Sequence, residues 1–187
     1  MRRIVLHLGI SLDGYFEGPD ADISWHRMDE ELHTYVNRLL AESSAFLEGR
    51  VTYELMEAYW PSAGQDPDAA PAEVEFADIW RRMPKIVYSR TLDTPGPNAT
   101  VVRDVVPEEV QALQEQPGGE MVVGGPVLAE SFRRHDLIDE YRIFVNPVLV
   151  GRGRRLFESE GMPADLRLAE TRTFGNGVVM LRYGRDR

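Results

Sequence analysis

The stretch Met121–Leu128, with the sequence MVVGGPVL, decides how the rest of this chain is interpreted. Residues 121–123 predict a short buried strand, and a helical pattern begins at Pro126, directly after paired glycines. Glycines let backbone N–H groups approach an anion, and a helix N-terminus adds unpaired donors and the positive end of its dipole. The break is therefore a candidate phosphate-binding turn. Taken alone, a tight turn that binds nothing explains the same residues.

Outward from this stretch, apolar β-branched segments alternate with amphipathic helical segments. Strands are predicted at 4–10, 44–48, 85–89, 100–102, 121–123 and 141–145. Helices are predicted after Trp25 (with acids 29–31 at the start), at 53–59 (stopped before Pro61), and at 73–82, 107–116 and 126–134. Segments 166–173 and 178–183 flank Gly175-Asn176-Gly177, which predicts a closing hairpin.

This order predicts an α/β fold of three layers, with a mixed, mostly parallel sheet flanked by helices and a C-terminal β-hairpin. No repeat or long linker divides the chain, so residues 1–187 are expected to form one domain. Ligands of such sheets bind beyond the carboxyl ends of parallel strands. The breaks at 11–16, 49–52, 88–90 and 124–128 should therefore converge on one edge.

Three of these breaks carry groups that suit an anion. Arg50 offers planar donors for phosphate oxygens, and Thr52 can cap a helix or donate its hydroxyl. Ser89-Arg90 pairs a hydroxyl with a guanidinium, which suits the 2′-phosphate of NADP. A solvated surface arginine and a capping serine are the alternatives at these positions. Three such breaks in one alternating pattern favour a dinucleotide, which needs several contacts.

The composition excludes several classes of protein. Of 187 residues, 31 are acidic and 21 are basic, and the net charge of −10 argues against non-specific binding to nucleic acid or anionic membranes. Because the chain has no cysteine, disulfides, thiolate catalysis and cysteine–zinc sites are impossible, and the four histidines show no metal-binding spacing. The N-terminus lacks signal-peptide features and no apolar run reaches membrane-spanning length, so a cytoplasmic protein is expected.

The residues resemble the dihydrofolate reductase-like superfamily. More narrowly, they are similar to stand-alone proteins related to the reductase domain of bacterial riboflavin biosynthesis. The matching pieces run in family order over nearly the whole chain: 11–15 (SLDGY), 49–54 (GRVTYE), 59–61 (YWP), 85–92 (KIVYSRTL), Gly124-Gly125, 138–140 (IDE), Pro147-Val148 and 151–153 (GRG).

The resemblance implies NADPH as the cofactor and assigns residues to it. Gly49, Arg50 and Thr52 would contact the cofactor phosphates, and Ser89 and Arg90 would lie at the adenosine ribose phosphate. The pyrophosphate and nicotinamide side of the cofactor would be wrapped by Gly124, Gly125, Val127 and Leu128. The nicotinamide pocket would be bounded by Gly9, Ile10 and the loop through Tyr15. In the superfamily the paired glycines can be joined by a cis peptide, which is the expectation for Gly124–Gly125.

The substrate is less well defined by the sequence. Folate enzymes place a carboxylate near the start of the first helix, where Asp29 and Glu30 lie, but acids there also stabilise a helix N-terminus. Tyr53 is a further candidate for the pocket. The 151–155 loop could hold a sugar phosphate or form a solvated turn. The zinc deaminase often fused to the riboflavin-pathway enzyme is absent, since there is no cysteine.

The sequence therefore predicts an NADPH-dependent reductase that passes a hydride to a small heterocyclic, pterin- or pyrimidine-like substrate. No side chain identifies itself as the proton donor, and a bound water could serve. The alternative is a non-catalytic NADP(H)- or ligand-binding protein that retains the reductase fold. A homodimer is also expected, in which Tyr141, Ile143 and Val145 could supply an apolar interface, although they would equally serve as core.

Overall fold

The computed structural model describes residues 1–157 and 163–185, which contain ten strands and five α-helices. The strands are β1 (Ile4–Ser11), β2 (Tyr15–Glu17), β3 (Ala45–Gly49), β4 (Lys85–Tyr88), β5 (Ala99–Val102), β6 (Met121–Gly124), β7 (Glu140–Asn146), β8 (Arg154–Arg155), β9 (Leu166–Thr173) and β10 (Val179–Arg185). The helices are α1 (Glu30–Ala41), α2 (Arg50–Ala63), α3 (Pro71–Arg82), α4 (Pro107–Glu115) and α5 (Pro126–Arg134).

Eight strands form one sheet in the order β5-β4-β3-β6-β1-β7-β10-β9. The six strands from β5 to β7 are parallel, and β10 runs antiparallel to both β7 and β9. Strand β6 lies between β3 and β1, with Val123 opposite both Leu47 and Leu6. The predicted mixed, mostly parallel sheet with a C-terminal hairpin is confirmed.

Helices cover both faces of the sheet and complete the three layers. Helices α1, α2 and α3 pack on one side, called here the three-helix face, against Phe46, Val122 and Phe144. Helices α4 and α5 pack on the other, the two-helix face, against Leu47 and Val123. Successive residues of each central strand thus point into opposite cores, as strand geometry requires.

The core also decides between the two roles left open for the β7 side chains. Tyr141 and Ile143 are buried in the cluster on the two-helix face, and Val145 packs against that cluster. They serve as core in this structure.

Both predicted ends of helix α2 were wrong. Helix α2 begins at Arg50 and continues through Pro61 instead of stopping before it. Pro61 lies in the last turn, so the missing N–H removes only one helical hydrogen bond, and the packing of Trp60 on Phe76 holds this turn in place. The short pair β2–β8 has too few residues to give a recognisable pattern.

Candidate functional site

The carboxyl ends of β4, β3, β6 and β1 form a continuous edge, because these strands are neighbours and parallel. The four breaks that follow them lie along that edge, as the sequence predicts. Two of the breaks open directly into helices, α2 at Gly49 and α5 at Gly125. This edge is therefore the candidate binding site.

The N-termini of α2 and α5 are both capped by glycine, so no cap side chain bonds their first-turn N–H groups. The two ends are close together, since a Cβ on Gly49 would lie 3.7 Å from Leu128 Cβ. Two helix dipoles with free donors therefore converge between adjacent strands. Such an arrangement suits an anion with several oxygens.

The paired glycines make room for two polar side chains of the β3–α2 segment. Gly125 has φ +86°, and a Cβ there would overlap Thr52 Oγ1. A Cβ on Gly124 would overlap the carboxyl group of Glu48. The β3–α2 and β6–α5 breaks thus interlock through contacts that only glycine allows. Within the described residues every peptide bond is trans, so the expected cis bond between Gly124 and Gly125 is wrong.

The cationic candidates lie at the exposed rim of this edge. Arg50 is half exposed and faces Glu54 at 3.6 Å. Arg90 is largely exposed, and its Nε donates to Asp104 Oδ1 at 2.7 Å. Exposed pairs of this kind contribute little to stability, so either arginine can exchange its carboxylate for a phosphate at small cost.

Ser89 is buried and its hydroxyl oxygen accepts hydrogen bonds from the N–H groups of Thr91 (3.2 Å) and Leu92 (3.0 Å). This is the turn-forming alternative considered from the sequence. Because a hydroxyl both accepts and donates, its proton is still available to a ligand oxygen.

On the three-helix face, Gly9 lies under an aromatic side chain that the sequence does not single out. A Cβ on Gly9 would come within 2.8 Å of the His26 ring, and His26 Nε2 lies 3.2 Å from Phe16 O. Burial lowers the pKa of His26, and the Phe16 carbonyl opposes this. Ile10, the next residue, packs against the cluster on the opposite face.

Glu48 is the second group that the sequence analysis missed. It is only 4% exposed, and its Oε2 has no hydrogen-bond partner. Burial raises its pKa to about 8, with the Lys85 charge acting in the opposite direction. A stricter use of strand alternation could have found it, since a residue two after buried Phe46 must also point inward.

The substrate-pocket candidates are partly committed to structural roles. Asp29 caps α1, where its carboxylate accepts from Leu32 N at 2.9 Å, and Glu30 is the exposed first residue of the helix. Tyr53 is buried in the core, and its hydroxyl accepts from Gly96 N at 2.7 Å. Of the pyrophosphate-side residues, Val127 is exposed and the Leu128 side chain is in the core.

One set of hydrogen bonds to the Asp13 carboxylate, called here the clamp, explains the 11–15 and 151–153 motifs. The Asp13 carboxylate accepts from Ser11 Oγ, from Val150 N (3.1 Å) and from Gly151 N (2.8 Å). These hydrogen bonds, the one from Ser11 first, lower the pKa of Asp13 to about 2. The clamp fixes the loop after β7 to the exit of β1.

An open groove of about 260 Å³ lies along α5, from Pro126 to Arg134. Its walls include Phe16, Val127, Arg134 and Arg154. Arg154 is paired with Glu17 and stacks 4.8 Å over the Phe16 ring. Arg154 and Arg155 therefore pack against the side chains of β2.

Neither a metal centre nor a membrane span is visible in the part of the chain that the structure describes. No group of three or more histidine, aspartate or glutamate side chains among residues 1–157 and 163–185 could hold a metal ion. No helix in these ranges is long and apolar enough to cross a membrane.

A mixed sheet with two parallel strands that end in glycine-capped helices defines a class of α/β proteins with a candidate ligand-binding edge at the carboxyl ends of those strands. Within that class the chain belongs to the RibD C-terminal domain family, whose model matches residues 2–180. It has the reductase-type fold of that family.

Relatives cover almost the full length of the chain. The uncharacterized protein YyaP of Bacillus subtilis (strain 168) is 33% identical over 183 residues, which are 97% of this chain and 94% of YyaP. The uncharacterized protein YwjB of the same organism is 27% identical over 188 residues, 98% of each protein.

Solved structures share the fold. A provisionally named riboflavin biosynthesis protein from Shewanella sp. PV-4 superposes with a TM-score of 0.77 at 22% identity, over the whole of both chains. The diaminohydroxyphosphoribosylaminopyrimidine deaminase/5-amino-6-(5-phosphoribosylamino)uracil reductase of Thermotoga maritima gives a TM-score of 0.67 at 16% identity, over 99% of this chain and 57% of that one. At these identities the likeness shows the fold alone.

Proposed function

We propose that this protein is an NADPH-dependent reductase that acts on a small heterocyclic substrate of the pterin or pyrimidine type. The observation that carries the proposal is the pair of glycine-capped helix N-termini at the interlocked Gly124–Gly125 turn. Two converging sets of free N–H groups match the two phosphates of a dinucleotide. Membership of the RibD C-terminal domain family, which generally uses NADPH, supports the choice of cofactor.

The residues present fit this cofactor. Gly49 and Gly125 leave the N-termini of α2 and α5 without a cap side chain, so the first turns of both helices offer N–H donors to a pyrophosphate beside Gly124–Gly125. At the rim, Ser89 and Arg90 would bind the 2′-phosphate, and Arg50 and Thr52 would contact the other phosphates. The backbone of Gly9 and Ile10, near the end of β1, would bound the nicotinamide pocket.

Bound NADPH supplies a hydride from C4 of its ring to a C=N or C=O carbon. The chain has to orient the ring, exclude water and permit protonation of the receiving heteroatom. Gly9 leaves space over β1 for a flat ring, once the His26 side chain moves aside.

The test is a titration of the purified protein with NADPH and NADP, followed by nicotinamide fluorescence. Binding in the micromolar range is expected, and absence of binding at about 1 mM would contradict the proposal. Oxidation of NADPH is then measured with pterins, pyrimidine flavin precursors and simple carbonyl compounds.

A non-catalytic NADP(H)- or ligand-binding protein is the second candidate. The observation in its favour is that Asp29 is committed to capping α1, so it is not free to protonate a substrate. This candidate predicts cofactor binding with no NADPH oxidation by any compound of that panel. Robust turnover with one of them would eliminate it.

A further inference from the structure

The Glu48 carboxyl group occupies the space above Gly124 that a side chain at that position would fill. Glu48 is 4% exposed, and its Oε2 has no hydrogen-bond partner among residues 1–157 and 163–185. Buried polar atoms without partners are rare in native proteins, since each costs free energy. An unpartnered carboxyl oxygen at the end of β6 therefore points to a ligand that completes its hydrogen bonding.

Among the residues that the structure describes, no cation forms an ion pair with Glu48, although the Lys85 charge acts to lower its pKa. On β4, Lys85 Nζ donates to the carbonyls of Trp80 (2.5 Å) and Met83 (3.0 Å). On α2, Glu57 Oε2 accepts from Trp80 Nε1 at 2.8 Å, and the Tyr53 hydroxyl accepts from Gly96 N.

The remaining charged or titratable groups near this position do not compensate either. Arg50, at the rim, faces Glu54. His7 follows the Leu6–Val123 pair and so flanks Gly124 from β1. Burial, and then the Arg142 charge, lower the pKa of His7 to about 3, so it is neutral at pH 7.

We propose that Glu48 is a cofactor-binding residue whose protonated carboxyl group donates a hydrogen bond to a pyrophosphate oxygen held at Gly124–Gly125. This inference rests on the proposed function, because the acceptor belongs to NADPH. It implies that the Glu48 carboxyl group has to be protonated, and therefore neutral, for the dinucleotide to bind well.

The physical reason is the charge of the Glu48 carboxyl group relative to the negatively charged pyrophosphate. A neutral carboxylic acid forms a short, strong O–H···O⁻ hydrogen bond with a phosphate oxygen. An ionised carboxylate loses that donor and repels the pyrophosphate across a buried, low-dielectric contact. Because burial raises the pKa of Glu48 to about 8, the change from binding to repulsion falls just above neutral pH.

The experiment measures NADPH dissociation constants of the wild-type protein and of Glu48→Gln, Glu48→Leu and Glu54→Gln between about pH 6.5 and pH 9.5. Glu54 is a matched control, since it is an exposed α2 glutamate at the same edge. Wild type and Glu54→Gln should lose about tenfold in affinity over this range, while Glu48→Gln, which keeps a neutral donor, should stay flat. Glu48→Leu should be about tenfold weaker at pH 7 and flat.

Two further measurements test whether the pH dependence of NADPH affinity arises at the contact between Glu48 and the pyrophosphate. Adenosine 2′,5′-bisphosphate, which has no pyrophosphate bridge, should bind with the same affinity across the range. Infrared spectra of the wild-type protein at pH 7 should contain the C=O stretch of a protonated carboxylic acid that is missing in Glu48→Gln and that shifts when NADPH is added.

A fall in affinity that persists unchanged in Glu48→Gln would overturn the proposal, as would a flat wild-type profile. If Glu48→Gln does not fold, a carboxylic acid band in wild type that NADPH leaves unshifted would overturn it equally. Failure of the proposed function looks different, because the wild type and Glu48→Gln would then both fail to bind NADPH at any pH.

Discussion

At the scale of single residues, Gly124 and Gly125 and the two polar side chains that pack against them determine the shape of the candidate binding edge. Gly125 adopts φ +86°, a conformation that side chains disfavour, and it touches Thr52 Oγ1. Gly124 accommodates the Glu48 carboxyl. The identity of each glycine is therefore fixed by a contact from the β3–α2 segment, which the local sequence around residue 124 cannot reveal.

Replacing Gly125 by alanine should lower the free energy of unfolding by about 3 kcal/mol, through backbone strain and overlap with the threonine hydroxyl. The loss should be smaller in a Thr52→Ala background, because only the strain remains. Denaturant unfolding of the single and double variants measures this coupling. Strictly additive losses would show that the two residues do not interact.

Glu48 should make stability fall as pH rises. Its folded pKa of about 8 lies above the unfolded value near 4.5, so its contribution is complete below about pH 4.5 and is lost as pH rises to about 8. In that window the loss approaches about 1.4 kcal/mol per pH unit. The melting temperature of Glu48→Gln should therefore be higher than that of wild type at pH 8 and equal to it near pH 4.5. Equal melting temperatures at both pH values would contradict this, and Glu54→Gln serves as the control.

At the scale of elements, the exit of β4 should select between NADPH and NADH. Replacing Arg90 by alanine should weaken NADPH about tenfold and leave NADH unchanged, because in the proposed binding mode the lost guanidinium would contact only the 2′-phosphate. Asp104→Asn, which releases Arg90 from its carboxylate, should not weaken NADPH. Fluorescence titrations with both nucleotides measure the ratio. Equal weakening of the two would place Arg90 elsewhere on the ligand.

How far the sequence predicts these elements depends on how local their causes are. The strand–glycine–helix breaks at Gly49 and Gly125 are local patterns, so the edge could be located in advance. The extension of α2 through Pro61 depends on the contact between Trp60 and Phe76, which comes from a different helix. The burial of Glu48 and the position of His26 over Gly9 depend on contacts with neighbouring strands and loops, and both were missed for that reason.

At the scale of the whole molecule, a buried ionic network joins the hairpin to the parallel strands. Glu140 on β7 accepts from Arg142 Nε (2.7 Å), Arg182 Nε (2.8 Å) and Arg3 Nη1 (2.7 Å). Burial acts to raise the pKa of Glu140, but the Arg182 hydrogen bond and the three arginine charges together lower it. One carboxylate thus ties together β7, β10 and the start of β1.

Replacing Glu140 by glutamine should destabilise the protein by about 2 kcal/mol, since three charge-assisted hydrogen bonds are weakened and the buried Arg142 keeps only Glu120 as its counter-ion. Glu170→Gln is a matched control, because Glu170 is more exposed and meets Arg182 at 3.4 Å. Chemical denaturation of both variants tests the difference. A loss for Glu140→Gln no larger than for the control would mean that the network does not hold the hairpin.

The position of β6 has a consequence for how the protein is made. Strand β6 is the sixth along the chain, yet it lies between β1 and β3. During synthesis, β1 and β3 therefore have no shared neighbour until residues 121–124 leave the ribosome, and long-range parallel pairing of this kind is slow. Through most of its translation the nascent chain exposes both edges of β1 and the β6-facing edge of β3. We expect aggregation of ribosome-bound chains to fall only when the glycine turn at 124–125 has emerged and β6 can pair with both strands.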